Sequence, residues 1–269
     1  MAKANSNVAV QRAFQVLESF TEQGPESTLA ELSERLGVNV GTLHRLLGDL
    51  VGSGYLVRDD RRGSYRLGLK LIGLAKVAIN THDVRTEARP FLERLAVETG
   101  ANVSLGVLDR GEVVYLDRIA SPHAADPYFH GGRRVPAHCS SLGKVLLAFS
   151  DATATGAATS AALASYTENT IVSRQALQEE LDEVRSAGFA LDRAEYMSGT
   201  HCFGAPVYDS SGGVVAAISL SNTHTQLNPA DVEAQAPLLL KTCSQVSQRL
   251  GLSLFTPHDR GSRTHFASR

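Results

Sequence analysis

The densest polar chemistry in the chain lies between residues 39 and 66. Asn39, Thr42, His44 and Arg45 interrupt an apolar run in which Leu43, Leu46, Leu47 and Leu50 recur at helical spacing. On a helix the leucines take one face, and the polar residues take the other, near its N-terminal end. Amide, hydroxyl, imidazole and guanidinium groups presented there are the donors and acceptors that read base edges in a major groove. Shortly afterwards Arg58, Arg61, Arg62 and Arg66 crowd into one segment, the residue type suited to phosphate oxygens.

A second constellation is the repeated dipeptide His138-Cys139 and His201-Cys202. Imidazole and thiolate are zinc ligands, and a thiolate beside a histidine is a hydrolytic nucleophile. Neighbours on a strand point to opposite faces, so at most one of each pair serves a common site. No CxxC or HxxxH spacing supports a metal. A metal-sensing or cysteine-based redox-sensing regulator, and a cysteine hydrolase, remain as alternatives. The expectation is no catalytic residue, no metal and no cofactor.

The elements that must position these groups follow from local pattern. Leu29, Leu32 and Leu36 mark a short helix, Gly37 breaks it, and Asn39 is a plausible N-cap for the next. Two short helices joined by a glycine turn read as helix-turn-helix. Gly54–Val57 and Tyr65–Leu67 read as strands around the turn Asp59–Gly63, which makes an arginine-bearing wing. A small helical domain with a merely solvated polar face is the bland alternative. Val10, Phe14, Leu17 and Phe20 space a first helix, ended by Gly24-Pro25. Residues 69–82 form a linking helix with excess apolar surface at Leu69, Ile72, Leu74, Ala75 and Ile79. Such a surface is buried against a second copy of the chain or against its own domains.

Residues 83–100 read as a helix with Pro90 as a kink or boundary. The runs NVSLGVLD, EVVYLDRI, HCFGAPVYD and VVAAISLS are strand-like, with helices at 141–150, 173–188 and 228–251 and a hairpin turn at 209–213. Strand pairs flanking a helical middle imply an antiparallel sheet with packed helices, so the fold class is α+β. Residues 152–164 are weakly patterned, and 253–269 read as a disordered tail. The expected division is 1–68, 69–82, 83–252 and 253–269.

The chain has 269 residues, 43% hydrophobic, with a formal net charge of −2. That is enough for two domains, and it excludes a generally polybasic binder. In residues 1–75 basic side chains barely outnumber acidic ones, so the DNA-binding argument rests on where charges sit. No apolar run is long enough for a transmembrane helix. The start lacks a signal core, and three cysteines suit a reducing compartment. A soluble cytoplasmic protein with no membrane partner is expected.

Four segments, in order and spacing, carry a family resemblance: TLAELSERLGVNVGTLHRLLGDLVGSGYL, YRLGLKLIGLA, PAHCSSLGKVLLA and ALDRAEYMSGTHCFGAPVYDSSGGVVAAISLS. Over residues 8–251 the chain resembles the IclR family of bacterial transcriptional regulators. The resemblance implies an N-terminal winged helix-turn-helix, a linker helix and a GAF-like effector-binding domain. It also implies homodimers or dimers of dimers on a double-stranded DNA operator, with repression as the default. The sequence departs from many relatives at Val40 and Gly41, where a basic residue and a serine are common. That shifts weight onto Thr42, His44 and Arg45. The resemblance places a pocket for a small carboxylate at the helix N-terminus Ser140-Ser141, with Asp192, Cys202, Ser219 and Ser221 around it. An exposed helix start suits an anion, and Ser219 and Ser221 share one strand face. Packing against a helix is the lesser alternative for the two serines, and Asp192 could equally cap a turn before the EYMSG segment. Glu195 is expected to hold the loop leading to Gly199, and Leu105, Tyr128 and Phe129 are candidates for an apolar wall.

Overall fold

The computed structural model describes residues 8–22, 24–80, 83–120, 131–150, 162–222 and 234–252. The chain divides into two compact units, Met1–Thr81 and His82–Arg269. Tyr128, Phe129 and the 253–269 tail lie outside the described residues, as does most of 152–164.

In the first unit α1 (Val8–Glu22), α2 (Leu29–Leu36) and α3 (Val40–Gly52) surround a core of Val16, Phe20, Leu32, Leu43, Leu47 and Leu50. The α1 stripe differs from expectation. Val16 and Phe20 are buried, whereas Val10 and Phe14 are exposed. The α2 start is a capping box: Thr28 Oγ1 accepts from the Glu31 amide, and Glu31 Oε2 accepts from the Thr28 amide at 2.7 Å. Gly37, at φ +61°, ends α2 in the left-handed conformation that glycine adopts without strain.

The wing is a three-stranded sheet of order β1-β3-β2, from β1 (Glu26–Thr28), β2 (Leu56–Asp59) and β3 (Ser64–Leu67). β1 is too short and polar to be legible as a strand. β2 starts two residues later than expected, because Gly54 and Tyr55 belong to the exit of α3, where the Tyr55 amide donates to Leu50 O. After the wing, α4 (Lys70–Asn80) is anchored at its start by Lys70. Its ammonium donates to Ser53 O at 3.0 Å and lies 4.7 Å from the Tyr55 ring centre. Leu69, Ile72 and Val77 are 75%, 62% and 66% exposed.

The second unit is a six-stranded antiparallel sheet of order β6-β5-β4-β9-β8-β7. Its strands are β4 (Asn102–Asp109), β5 (Glu112–Ile119), β6 (Arg134–Pro136), β7 (Ala190–Arg193), β8 (His201–Tyr208) and β9 (Val214–Asn222). The two short edge strands β6 and β7 were not among the expected elements. The helices are α5 (Asp83–Thr99), α6 (Ser141–Phe149), α7 (Arg174–Ala187) and α8 (Ala236–Arg249). α5 runs through Pro90 without a boundary, because Ala88, Leu92 and Leu95 bury its inner face on both sides of the proline. The last helix begins at Ala236, and residues 223–233 before it lie outside the described residues.

Strand alternation separates two layers. Val103, Leu105, Phe203, Ala205, Ile218 and Leu220 face α5 and α8. The alternate residues face α6 and α7, where Val113, Leu142, Val145, Leu177 and Leu181 pack. Two glycines let α6 come close. A Cβ on Gly204 would lie 2.9 Å from the Ser141 backbone, and one on Gly143 would lie 2.2 Å from Ala137 O.

Candidate functional site

Two surfaces carry the expected chemistry. On α3, Asn39 is the N-cap, its Oδ1 accepting from the Gly41 amide at 2.9 Å. That cap occupies its carboxamide oxygen and leaves its Nδ2 as the donor. Thr42, His44 and Arg45 are exposed. Successive residues turn by about 100° on a helix, so Gly41, Arg45, Gly48 and Gly52 form the stripe opposite the buried leucines. Gly48 and Gly52 meet nothing within 4 Å at their Cβ positions. The centre of this face is thus bare backbone with Arg45 standing out of it.

The wing arginines do not share one surface. Arg58 pairs across the sheet with Tyr65, and Arg66 with Val57. Adjacent rows point oppositely, so these two leave opposite faces. Arg58 is held by Asp60 at 3.1 Å and Arg62 by Glu26 at 3.4 Å. Both pairs are exposed, and such pairs contribute little to stability. Arg61 is exposed at the tip.

In the second unit the α6-facing side of the sheet carries two adjacent lateral rows of small polar residues. One runs Asp192, Cys202, Ser221, Asn102 across β7, β8, β9 and β4. The other runs Gly204, Ser219, Ser104, Arg118 across β8, β9, β4 and β5. The N-terminus of α6 rests over Gly204. Between helix and floor lies a narrow pocket with about 20 Å³ of free space, room for little more than a water molecule in this closed arrangement.

All six residues expected at the effector site, Ser140, Ser141, Asp192, Cys202, Ser219 and Ser221, line this one pocket. Their roles differ. Ser140 is the N-cap, accepting from the Gly143 amide at 3.2 Å and donating to Pro136 O. Its hydroxyl is thereby engaged within the fold, and the first-turn amides of Ser141 and Leu142 remain as the outward donors. Asp192 both caps a turn, Oδ1 accepting from the Glu195 amide at 2.8 Å, and faces the pocket. Burial, with the Glu195 carboxylate nearby, pushes its pKa up to about 7 against the pull of that amide and of Lys144.

Behind Asp192 stands a buried ion network. Lys144 on α6 is 0% exposed and donates to Glu195 Oε1 at 2.7 Å and Glu180 Oε1 at 2.8 Å. Lys144 thus ties α6 both to α7, through Glu180, and to the loop after β7, through Glu195, whose backbone carbonyl accepts from Thr170 Oγ1 at 2.6 Å. Glu195 is outside the pocket lining, in keeping with the expected loop-holding role.

Sequence reasoning missed Ser104, Tyr115, Arg118, Tyr196, Met197 and Thr200, which complete much of the lining. Ser104 has the same strand phase as Ser219, a usable signal once the two strands are known to be neighbours. That adjacency is a tertiary fact. Leu105, expected at the pocket wall, points to the opposite face and into the α5–α8 core. Among the described residues no cluster of three His, Cys, Asp or Glu suits a metal. Desolvation raises all three thiols, Cys139 to about 12 and Cys202 and Cys243 also strongly. His201 neighbours Cys202 on its strand and so points away from it, and His138 Nε2 lies 3.0 Å from Ala164 O.

A winged helix-turn-helix followed by a sheet domain with a polar pocket defines a ligand-responsive DNA-binding transcription regulator. Residues 9–60 match the family model for the IclR helix-turn-helix domain, and residues 76–248 match that for the bacterial transcriptional regulator IclR C-terminal domain. The chain belongs to the IclR family. It is 34% identical over 244 residues to the HTH-type transcriptional regulator XynR of Escherichia coli strain K12, covering 90% of this chain and 97% of that protein. It is 30% identical over 245 residues to the HTH-type transcriptional repressor AllR of Klebsiella pneumoniae, covering 91% and 90%. Among solved structures it is similar to an IclR homolog from Microbacterium hydrocarbonoxydans complexed with 4-hydroxybenzoate. That match has 26% identity and a TM-score of 0.77, and covers 90% and 98% of the two chains.

Proposed function

We propose that the chain is a homo-oligomeric repressor whose pocket binds the carboxylate of a small organic acid and thereby changes operator affinity. The observation that carries this reading is the convergence of Ser141, Asp192, Cys202, Ser219 and Ser221, from separate elements, on the start of α6. The α6 amides and helix dipole attract an anion. A carboxyl group with a pKa near 7 offers a proton to a bound carboxylate, where an ionised one would repel it. The 4-hydroxybenzoate complex of the Microbacterium homolog supports an acid of this class. The repressor sign is supported by AllR.

Residues 1–68 are taken as the DNA-binding domain, 69–82 as the linker and 83–252 as the effector domain. Thr42, His44 and Arg45 reach base edges, with Asn39 Nδ2 beside them, and Arg58, Arg61, Arg62 and Arg66 serve phosphates. The exposed Ile72 and Val77 of α4, with Leu69 just before it, form the surface for a second copy. The protein returns its ligand unchanged. Its thiols are held protonated, and a protonated thiol is a poor nucleophile. It acts in the cytoplasm with its DNA; among the described residues no helix is long and apolar enough to cross a membrane.

The test is a thermal-shift screen of the full chain against small organic acids, followed by operator binding with each hit. A native-state ligand raises stability by about RT ln(1 + [L]/Kd). The expected hit is lost in Ser219→Leu, which fills the pocket. A hit that survives that substitution places binding elsewhere and refutes the reading.

A further inference from the structure

A recognition helix enters the major groove with its N-terminal residues against the base edges, and one residue at that end of α3 differs from its neighbours. Val40 is the first residue of the helix and is 51% exposed. It belongs neither to the core of the first unit nor to the half-buried residues packed on that core. Around it on the surface stand Asn39, Gly41, Thr42, His44 and Arg45, all exposed and either polar or without a side chain. Among the described residues Val40 is the one large hydrophobic side chain that α3 exposes.

Nothing in the folding of α3 asks for valine here. The helix start is set one residue earlier, where Asn39 Oδ1 accepts from the Gly41 amide. A β-branched side chain is a mediocre helix former, and the dipole of a first turn favours an acidic one. The isopropyl group therefore stands in water in the free protein, at the end of the helix that meets base pairs. Gly41 beside it has no side chain, so nothing at that position holds the helix off the base edges.

The chemistry of the groove offers this group one complement. Base pairs present hydrogen-bond donors and acceptors in the major groove, and the C5-methyl of thymine is the apolar feature there. An isopropyl group laid against a purine N7 or an exocyclic oxygen or amine strips water from a polar atom and returns no hydrogen bond. Against a thymine methyl it buries apolar surface on both partners. Resting on the reading of α3 as the recognition helix, we infer that Val40 is a specificity-determining residue which reads a thymine methyl in the operator. Asn39, Thr42, His44 and Arg45 supply the hydrogen-bonded part of recognition. Val40 adds an apolar contact that selects thymine at one base pair per recognition helix.

The experiment uses the full-length protein and a duplex that it selects from a pool of randomised DNA. Each thymine of that duplex is replaced in turn by deoxyuridine, which keeps O4 and the pairing with adenine and lacks only the methyl. Kd is measured by fluorescence anisotropy. Wild type should lose about fourfold in affinity at one thymine per recognition helix, the worth of roughly one buried methyl group. Val40→Ser removes both methyls at a helix start, where serine is well tolerated. It should bind the thymine and deoxyuridine duplexes about equally at that position and keep the wild-type response elsewhere. Val40→Thr, which keeps one methyl in the same shape, should retain part of the preference. Circular dichroism and melting report whether each variant is folded. Should serine disturb folding, the threonine variant and the wild-type profile still decide. Wild type indifferent to every thymine exchange overturns the assignment, as does a preference of undiminished size in folded Val40→Ser. In both cases a selected sequence leaves α3 standing as the recognition helix. Selection of no sequence from the pool overturns that reading, and this inference with it.

Discussion

Replacing Asp192 by asparagine tests the electrostatics of the pocket without needing a ligand. The carboxyl is 5% exposed, and its Oδ1 accepts from the Glu195 amide. Asparagine is isosteric and can keep that acceptor while losing the charge. The pKa of Asp192 rises from 3.8 to about 7 because burial disfavours the ionised form. For an acid with a raised folded-state pKa, the native state holds the proton more tightly than the unfolded chain. Its contribution is therefore most favourable below about pH 4 and is lost as pH rises towards 7. The upper bound is about three pH units at about 1.36 kcal/mol each, so about 4 kcal/mol across that window. Urea denaturation of wild type and Asp192→Asn from pH 4 to 8 gives the difference directly, because other titrating groups cancel. Wild type should lose stability relative to the variant by about 2–4 kcal/mol between pH 4.5 and 7.5. A bound carboxylate adds a second readout: wild-type affinity should fall by up to about tenfold per unit above pH 7, and that of the variant should stay nearly flat. Parallel stability curves with no divergence across the window would refute the claim that Asp192 carries a proton near neutrality.

Lys144→Met leaves Glu195, which is nearly fully buried, without its cation, and should destabilise the effector domain by about 3–5 kcal/mol in chemical denaturation. Lys144→Met combined with Glu195→Gln should recover part of that loss. Gly48→Ala adds a methyl to the exposed stripe of α3, where nothing lies within 4 Å. The melting temperature should rise, from about 0.8–1 kcal/mol of helix propensity, while operator affinity in gel shifts falls as the helix is held off the groove. Because the cysteines are held as thiols, peroxide at moderate dose should leave operator binding unchanged, and thiol-dependent reversal would argue for a redox sensor instead.

Much of the DNA-binding unit was legible because its signals are local. Leucine spacing, Gly37 and the Asn39 cap are short-range, and each acts within one or two turns. The errors there mark where tertiary packing overrides pattern. Phe14 has the spacing of a core residue yet is exposed, because Val16 and Phe20 supply the contact with α2 and α3. Pro90 looks like a break and is not one, because packing on α5 outweighs the lost hydrogen bond. In the second unit four strands were readable from composition, and β6 and β7, short and on the edges, were not.

The pocket divides along the same line. Ser219 and Ser221 share a face by the two-residue period of a strand, and the start of α6 is marked by its serines, but that these belong to one pocket came only from the family resemblance. Ser104 and Arg118 entered the site only because β4 and β5 lie beside β9, and Leu105 left it because the phase of β4 turns that side chain to the other layer. The titration of Asp192 likewise depends on burial against Glu195 and Lys144, residues three positions downstream and on a different helix. Local periodicity, capping and turn chemistry are properties of neighbouring residues, and sequence determines them. Strand order, burial and the field at a buried carboxyl arise from groups far apart in the chain, and the tertiary structure alone decides them.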